Sequence, residues 1–151
     1  MAITTKRVKG EIKKLKTGEL PFGIKIEPRE DDIFTWDAEI TGGIGTPHEG
    51  LTYKLLVRID KEDYPKKPPS IKFISKIYHP NVYRDGQICI DILQSEWTPT
   101  LRIISALISI QSMLDDPNPN SPANRDSAMV FMKDKELYKK KIQEYYKLNL
   151  Y

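Results

Sequence analysis

The sequence predicts an α+β fold, and three observations carry that expectation. A basic amphipathic segment opens the chain, four short β-rich stretches follow it, and segments with apolar residues at helical spacing come last. Strands gathered in one block, with helices before and after rather than between them, argue for an antiparallel sheet flanked by helices.

Each element has its own justification. In residues 6–16, "KRVKGEIKKLK", Val8, Ile12 and Leu15 recur at i, i+4 and i+7, which is one apolar stripe of a helix. Gly10 weakens that helix modestly, and Gly18 with Pro21 beyond it ends it. The stretches "FGIKIEP", "IFTWDAEI", "LTYKLLVRI" and "PSIKFIS" are rich in Ile, Val, Phe, Tyr and Thr and bounded by Gly, Pro or Asp. Each reads as a strand. Turn-rich "TGGIGTPHEG" (41–50) joins the second to the third, so a four-stranded antiparallel meander is the simplest arrangement. In "DYPKKPPS", Pro65, Pro68 and Pro69 exclude a helix. Residues 75–100 show no long periodic element, and loops of that length inside a domain are usually functional.

Two helical patterns follow. "LRIISALISIQSML" (101–114) carries one stripe of Ile103, Leu107, Ile110 and Leu114, widened by Ile104. Its other side holds Ser105, Ser109 and Ser112, which suits either close approach of a partner or a plain solvent face. "DDPNPNSPAN" (115–124) stops this helix and offers Ser121 or Asn124 as a cap for the next one. Tyr138, Ile142 and Tyr145 outline a last amphipathic helix. No repeat or linker divides the chain, and residues 1–151 are expected to form a single domain.

Composition narrows the function classes. With 30% charged and 39% hydrophobic residues, the chain has the balance of a soluble globular protein. No apolar run approaches the roughly 18 to 20 residues that span a bilayer, so no membrane partner is expected, and no signal peptide is read at the start. Two histidines and one cysteine make a zinc site unexpected, and no metal ligand is assigned. One cysteine and no N-x-Ser/Thr acceptor suit a reducing compartment, the cytoplasm or nucleus. No glycine-rich phosphate loop occurs, so any nucleotide chemistry falls to another protein. The net charge of +3 hides an asymmetry, because residues 6–16 hold six cations against the single Glu11. Such a face can bind nucleic acid or an acidic protein, or simply be solvated.

The one thiol lies in "YRDGQICIDIL" (83–93). Read as an extended segment, Ile88, Ile90 and Ile92 share one face, and Gln87, Cys89 and Asp91 share the other. Free cysteine is often an inert core residue, but this placement beside an amide and a carboxylate argues for chemistry. A protease-type pair would need His48 or His79 beside it, and neither sits in a motif that makes it a base. Thioester exchange remains open to such a thiol. Incoming and leaving groups are then both thiols, and no powerful base is required.

"HPNVYRDGQICIDIL" (79–93), "WTPTLRI" (97–103) and "DDPNPNSPAN" (115–124) together resemble the catalytic core of ubiquitin-conjugating enzymes. The basic first helix, "TPHEGLTYKL", "YPKKPP" and the C-terminal helices occur in family order, so the likeness spans nearly the whole chain. Within the family, "SIQSMLDDPNPNSPAN" and "HPNVYRDG" are most similar to the post-replication-repair branch, which modifies histones and the replication clamp.

The resemblance implies specific roles. Cys89 would accept ubiquitin from an activating enzyme as a thioester and pass it to substrate lysines, usually with a ubiquitin ligase of RING type. ATP would be consumed by the activating enzyme, so no cofactor is expected on this chain. Asn81 matches the donor that stabilises the thioester's carbonyl oxygen, or it merely braces its loop. His79 and Pro80 shape that loop. Asp91 would orient the incoming lysine or remain an ordinary turn carboxylate. Ser121 lies in the gate beside the thiol, where many relatives carry an acid. Ser105, Ile108 and Ser112 match the face that holds the donor ubiquitin. Lys6, Arg7 and Lys9, with Lys66 in loop 64–69 and Pro99 in loop 97–100, match the grip of the ligase and activating enzyme. The basic helix is therefore expected to dock proteins rather than nucleic acid. A catalytically dead adaptor and a carrier of another ubiquitin-like modifier are the rival readings; Cys89, Asn81 and Trp97 together speak against the first.

Overall fold

The computed structural model describes residues 2–151. Helix α1 spans Ala2–Thr17, and strands β1 (Ile24–Pro28), β2 (Thr35–Thr41), β3 (Thr52–Arg58) and β4 (Ser70–Phe73) follow. They pair in sequence order as one antiparallel sheet, β1-β2-β3-β4, so the expected meander is present. Helices α2 (Ile103–Asp115), α3 (Arg125–Lys133) and α4 (Lys135–Lys147) complete the α+β fold.

The sheet is built by alternation. Trp36, Ala38 and Ile40 of β2 and Tyr53, Leu55 and Val57 of β3 are all buried, and the register pairs Trp36 with Val57 and Ile40 with Tyr53. Their neighbours Asp37, Lys54 and Arg58 face solvent, as a half-buried sheet requires. Helix α2 lays Ile103, Leu107, Ile110 and Leu114 into the same core. Burial of each such side chain contributes about 1.5–3 kcal/mol. The stripe read from the sequence is thus the packed face, extended by Ala106 and Met113.

Helix α1 buries Val8 and half-buries Ile12 and Leu15, but Glu11 and Thr4 are buried on it as well. After α2, two helices stand where the sequence outlined one. Asp134 separates them: its N–H closes α3 on the Val130 carbonyl, and its carboxylate accepts from Leu137 N–H to cap α4. Asn124, not Ser121, caps α3 by accepting from Ser127 N–H at 3.0 Å. Tyr138 and Ile142 form a second small core with Tyr78, whereas Tyr145 stays over a third exposed and lies against the Tyr78 ring. Among the described residues no helix is long and apolar enough to cross a membrane.

Candidate active site

Residues 82–88 form a tight hairpin that delivers Cys89. Val82 bridges Ile88, Tyr83 N–H donates to the Gln87 carbonyl at 2.8 Å, and Gly86 turns the chain with φ +92°. A Cβ at Gly86 would meet the Phe73 carbonyl oxygen at 2.0 Å, so the close approach of hairpin to β4 needs glycine. The next N–H, that of Cys89, donates to the Asn81 carbonyl at 2.8 Å. The thiol is half-buried and lies 3.8 Å from the Ser121 carbonyl oxygen.

The two-residue alternation runs no further than Asp91. Ile88 is buried and Gln87 exposed, but after Ile90 the chain enters a 3₁₀ turn over Asp91–Leu93. The extended segment therefore ends before Ile92, which leaves the face read for Ile88, Ile90 and Ile92. Asp91 is exposed at the start of that turn, and its carbonyl accepts from Gln94 and Glu96 N–H.

The His79-Pro80-Asn81 turn fastens four segments by hydrogen bonds. The His79 ring is fully buried; Nε2 donates to the Met113 carbonyl at the end of α2, and Nδ1 accepts from Asn81 N–H at 2.9 Å. Burial holds its pKa down at about 4, so the ring is neutral and its tautomer is set by these two partners. The Pro80 carbonyl accepts from both Ala123 and Asn124 N–H, which ties down the gate segment. Asn81 closes the frame: Nδ2 donates to the Asn118 carbonyl at 2.7 Å and Oδ1 accepts from Asn118 N–H at 2.9 Å. The brace expected as one role of Asn81 is present, and nothing in it prevents the second.

Cys89, Asn81 and Ser121 are thus brought together, with Ser121 itself exposed at the rim. On α2, Ile108 is 40% exposed and Ser112 is exposed, while Ser105 is half-buried and accepts from Arg102 N–H at the helix start. Lys6, Lys9, Lys66 and Pro99 are exposed. Arg7 is not a free docking charge. It donates to the Pro99 carbonyl at 2.8 Å, to the Leu101 carbonyl at 2.6 Å, and to Glu11 at 3.0 Å.

Glu11 is the residue that sequence reasoning missed. Its carboxylate also accepts from the Tyr64 hydroxyl and from Ile103 N–H at 2.9 Å, the first N–H of α2. Trp97 Nε1 donates to the Pro65 carbonyl at 2.8 Å, so loops 64–69 and 97–100 are joined to one another and to α1. The signal was available: Thr4, Val8, Glu11 and Leu15 share one helical stripe, so the lone acid falls on the buried side.

The thiol is thus half-exposed and framed by an asparagine-braced loop, with an interlocked helix-and-loop face elsewhere, an arrangement that leaves it open to another thiol or an amine. A profile of the ubiquitin-conjugating enzyme family matches residues 7–146. Over 139 residues the chain is 48% identical to "Ubiquitin-conjugating enzyme E2 1" of Caenorhabditis elegans, covering 92% of this chain and 71% of that protein. It is 46% identical to "Ubiquitin-conjugating enzyme E2 2" of Candida glabrata (92% and 82% covered) and 45% identical to "Ubiquitin-conjugating enzyme E2 2" of Saccharomyces cerevisiae (92% and 80%). The chain belongs to the ubiquitin-conjugating enzyme family. It is a thioester-forming transferase whose partners are ubiquitin, an activating enzyme and a ligase, and the family needs no cofactor of its own.

Proposed function

We propose that Cys89 is the residue that carries ubiquitin and that residues 1–151 act as one catalytic domain. The observation that carries this is the seating of the only cysteine, half-exposed, where the hairpin, the Asn81 turn and the gate segment meet. The Cys89 thiolate attacks the thioester carbonyl of ubiquitin's last residue on the activating enzyme. A new C–S bond forms as the old one breaks, and the activating enzyme's thiolate leaves. A substrate lysine amine then attacks the same carbon, loses its proton and expels the Cys89 thiolate.

Negative charge builds on the carbonyl oxygen in both steps. Asn81 Nδ2 has two hydrogens and spends one on the Asn118 carbonyl, which supports the other as an oxyanion donor. The open rim, with Asp91 and Ser121 both exposed, leaves room for the lysine, and these two residues orient it. Ile108 with Ser105 and Ser112 holds the donor ubiquitin. Lys6, Lys9, Lys66 and Pro99 meet a ligase of RING type and the activating enzyme, with Arg7 holding their platform together. The resemblance in "SIQSMLDDPNPNSPAN", with serine in the gate, supports the post-replication-repair branch and protein substrates in the cytoplasm or nucleus.

Activating enzyme, ATP and either ubiquitin or one of its relatives, followed by a non-reducing gel, test the reading. A ubiquitin adduct that thiols cleave is expected. Cys89→Ser should give a thiol-resistant oxyester and Cys89→Ala nothing; an adduct on the alanine variant, or loading by another modifier alone, would overturn it.

A further inference from the structure

A cleft of about 700 Å³ opens on the far end of the 82–88 hairpin from Cys89, and the transfer chemistry leaves it without a role. Its walls are the exit of β4, the 82–86 turn, the start of α3 and the end of α4. Tyr83, Tyr145 and Leu148, each more than a third exposed, give it an apolar lining. Lys76, Arg84 and Arg125 stand exposed around it.

The charges are not balanced inside the cleft. None of those three cations makes an ion pair among the described residues. The two acids are engaged locally. Asp126 accepts from the Tyr78 hydroxyl at 2.6 Å and from Lys141 at 3.3 Å, and Asp85 accepts from Gln87 N–H at 3.0 Å. Three cations, none of them paired among the described residues, line the cleft with two acids.

Position gives the cleft its meaning. Arg84 sits in the hairpin turn that ends just before Cys89. Arg125 follows the gate segment, whose Ala123 and Asn124 N–H groups are held by the Pro80 carbonyl and whose Ser121 carbonyl faces the thiol. Each arginine thus belongs to a segment that leads to the thiol. A chain that brings a lysine to Cys89 from this side runs between them.

We propose that this cleft selects substrate lysines that lie next to acidic residues, by taking the acidic segment between Arg84, Arg125 and Lys76 over the Tyr83 and Leu148 surface. The inference rests on Cys89 as the thioester carrier. Exposed contacts of this kind are individually weak and fade with salt, so they bias the choice among lysines rather than create affinity alone.

The full chain is loaded with ubiquitin, and single-turnover discharge is followed onto peptides with one lysine flanked by Asp/Glu, by Ser/Gly or by Lys/Arg. Every rate is divided by that protein's own discharge to free lysine. At low salt the acid-flanked peptide is expected to react about fivefold faster than the Ser/Gly one, and the gap should close by half-molar salt. Arg84→Glu with Arg125→Glu should reverse the order and favour the basic peptide. If the double variant folds poorly, Arg84→Ala and the salt series make the same comparison. Equal rates for all peptides, or an unchanged order in the variants, overturn the proposal. So does a DNA duplex that binds the cleft while the peptides show no preference, because the surface would then belong to nucleic acid. Failure to form any thioester is read before peptides are added, and it refutes the carrier role instead.

Discussion

Replacing Glu11 tells whether α1 and loops 64–69 and 97–100 are built as one unit or are a set of adjacent segments. The carboxylate receives Arg7 Nε, the Tyr64 hydroxyl and Ile103 N–H, and Glu11, Tyr64 and Ile103 are all buried. Glu11→Ala removes every one of those acceptors. The Tyr64 hydroxyl and Ile103 N–H are then left buried and unpaired, at about 1–3 kcal/mol each. Arg7 is 26% exposed and can turn to water, so its share is small. The expected loss is about 4 kcal/mol. Glu11→Gln keeps the volume and one carbonyl oxygen, and should lose about 1–2 kcal/mol. With a urea dependence of about 2 kcal/mol per molar, the alanine variant unfolds about 2 M earlier and the glutamine variant less than about 1 M earlier. Trp97 reports the transition, since its ring lies 6.1 Å from Tyr64 and its Nε1 holds the Pro65 carbonyl. Ligase stimulation should fall in both variants, because Arg7 loses the carboxylate charge that aims it at the Pro99 and Leu101 carbonyls. Coincident unfolding curves for wild type and Glu11→Ala would refute the hub.

Four further outcomes are expected. Asn81→Ala should load nearly normally yet discharge to lysine about 100-fold more slowly; equal losses in loading and discharge would leave Asn81 only its brace to Asn118. Acid should destabilise the fold before carboxylates titrate: burial lowers His79 to about 4 and His48 to about 3, so the unfolded chain binds protons first. Stability is full above pH 6.5 and falls by up to about 2.7 kcal/mol per pH unit below it, and a flat urea midpoint from pH 7 to 5 would contradict this. Ser121→Asp should speed discharge to free lysine most visibly near neutral pH, and identical single-turnover rates from pH 6 to 9 would remove the gate side chain from the mechanism. Lys66→Phe should broaden the range of productive ligases without altering Cys89 loading, since an apolar anchor there can bury more than a lysine stem; a ligase panel answering both proteins alike would take selection away from loop 64–69.

What the sequence made legible followed local periodicity. β2 and β3 alternate strictly, and the α2 stripe repeats at helical spacing, so both could be placed without knowing their neighbours. What it hid depended on partners distant in the chain. Glu11 looked like one acid in a basic run because its three partners lie on other segments. The period-two reading failed at Ile92 because a 3₁₀ turn spans Asp91–Leu93, and no glycine or proline announced it. The break at Asp134 was equally silent: one aspartate both ends α3 and caps α4. Around Cys89 the residue types were readable from motif resemblance, but their fastening was not. The carbonyls of Pro80, Asn81 and Asn118 do much of it, and backbone atoms carry no sequence signature.

This division between fixed and open parts bears on how the site tolerates change. One side of the thiol is made of groups whose hydrogen bonds are all internal: buried His79, buried Asn81 and the twice-bonded Pro80 carbonyl. Altering any of them leaves a buried polar atom unpaired, which costs stability as well as rate. Asp91 and Ser121 are solvent-exposed, so their side chains can be exchanged at little cost in stability. A thioester already stores the energy needed for transfer, so the protein's task is to hold the carbonyl still and admit the right lysine. Rigid atoms serve the first requirement and exposed ones the second. That is why a serine can stand in the gate without disturbing the frame, and why lysine choice is best sought in the charges outside the gate, at Arg84 and Arg125.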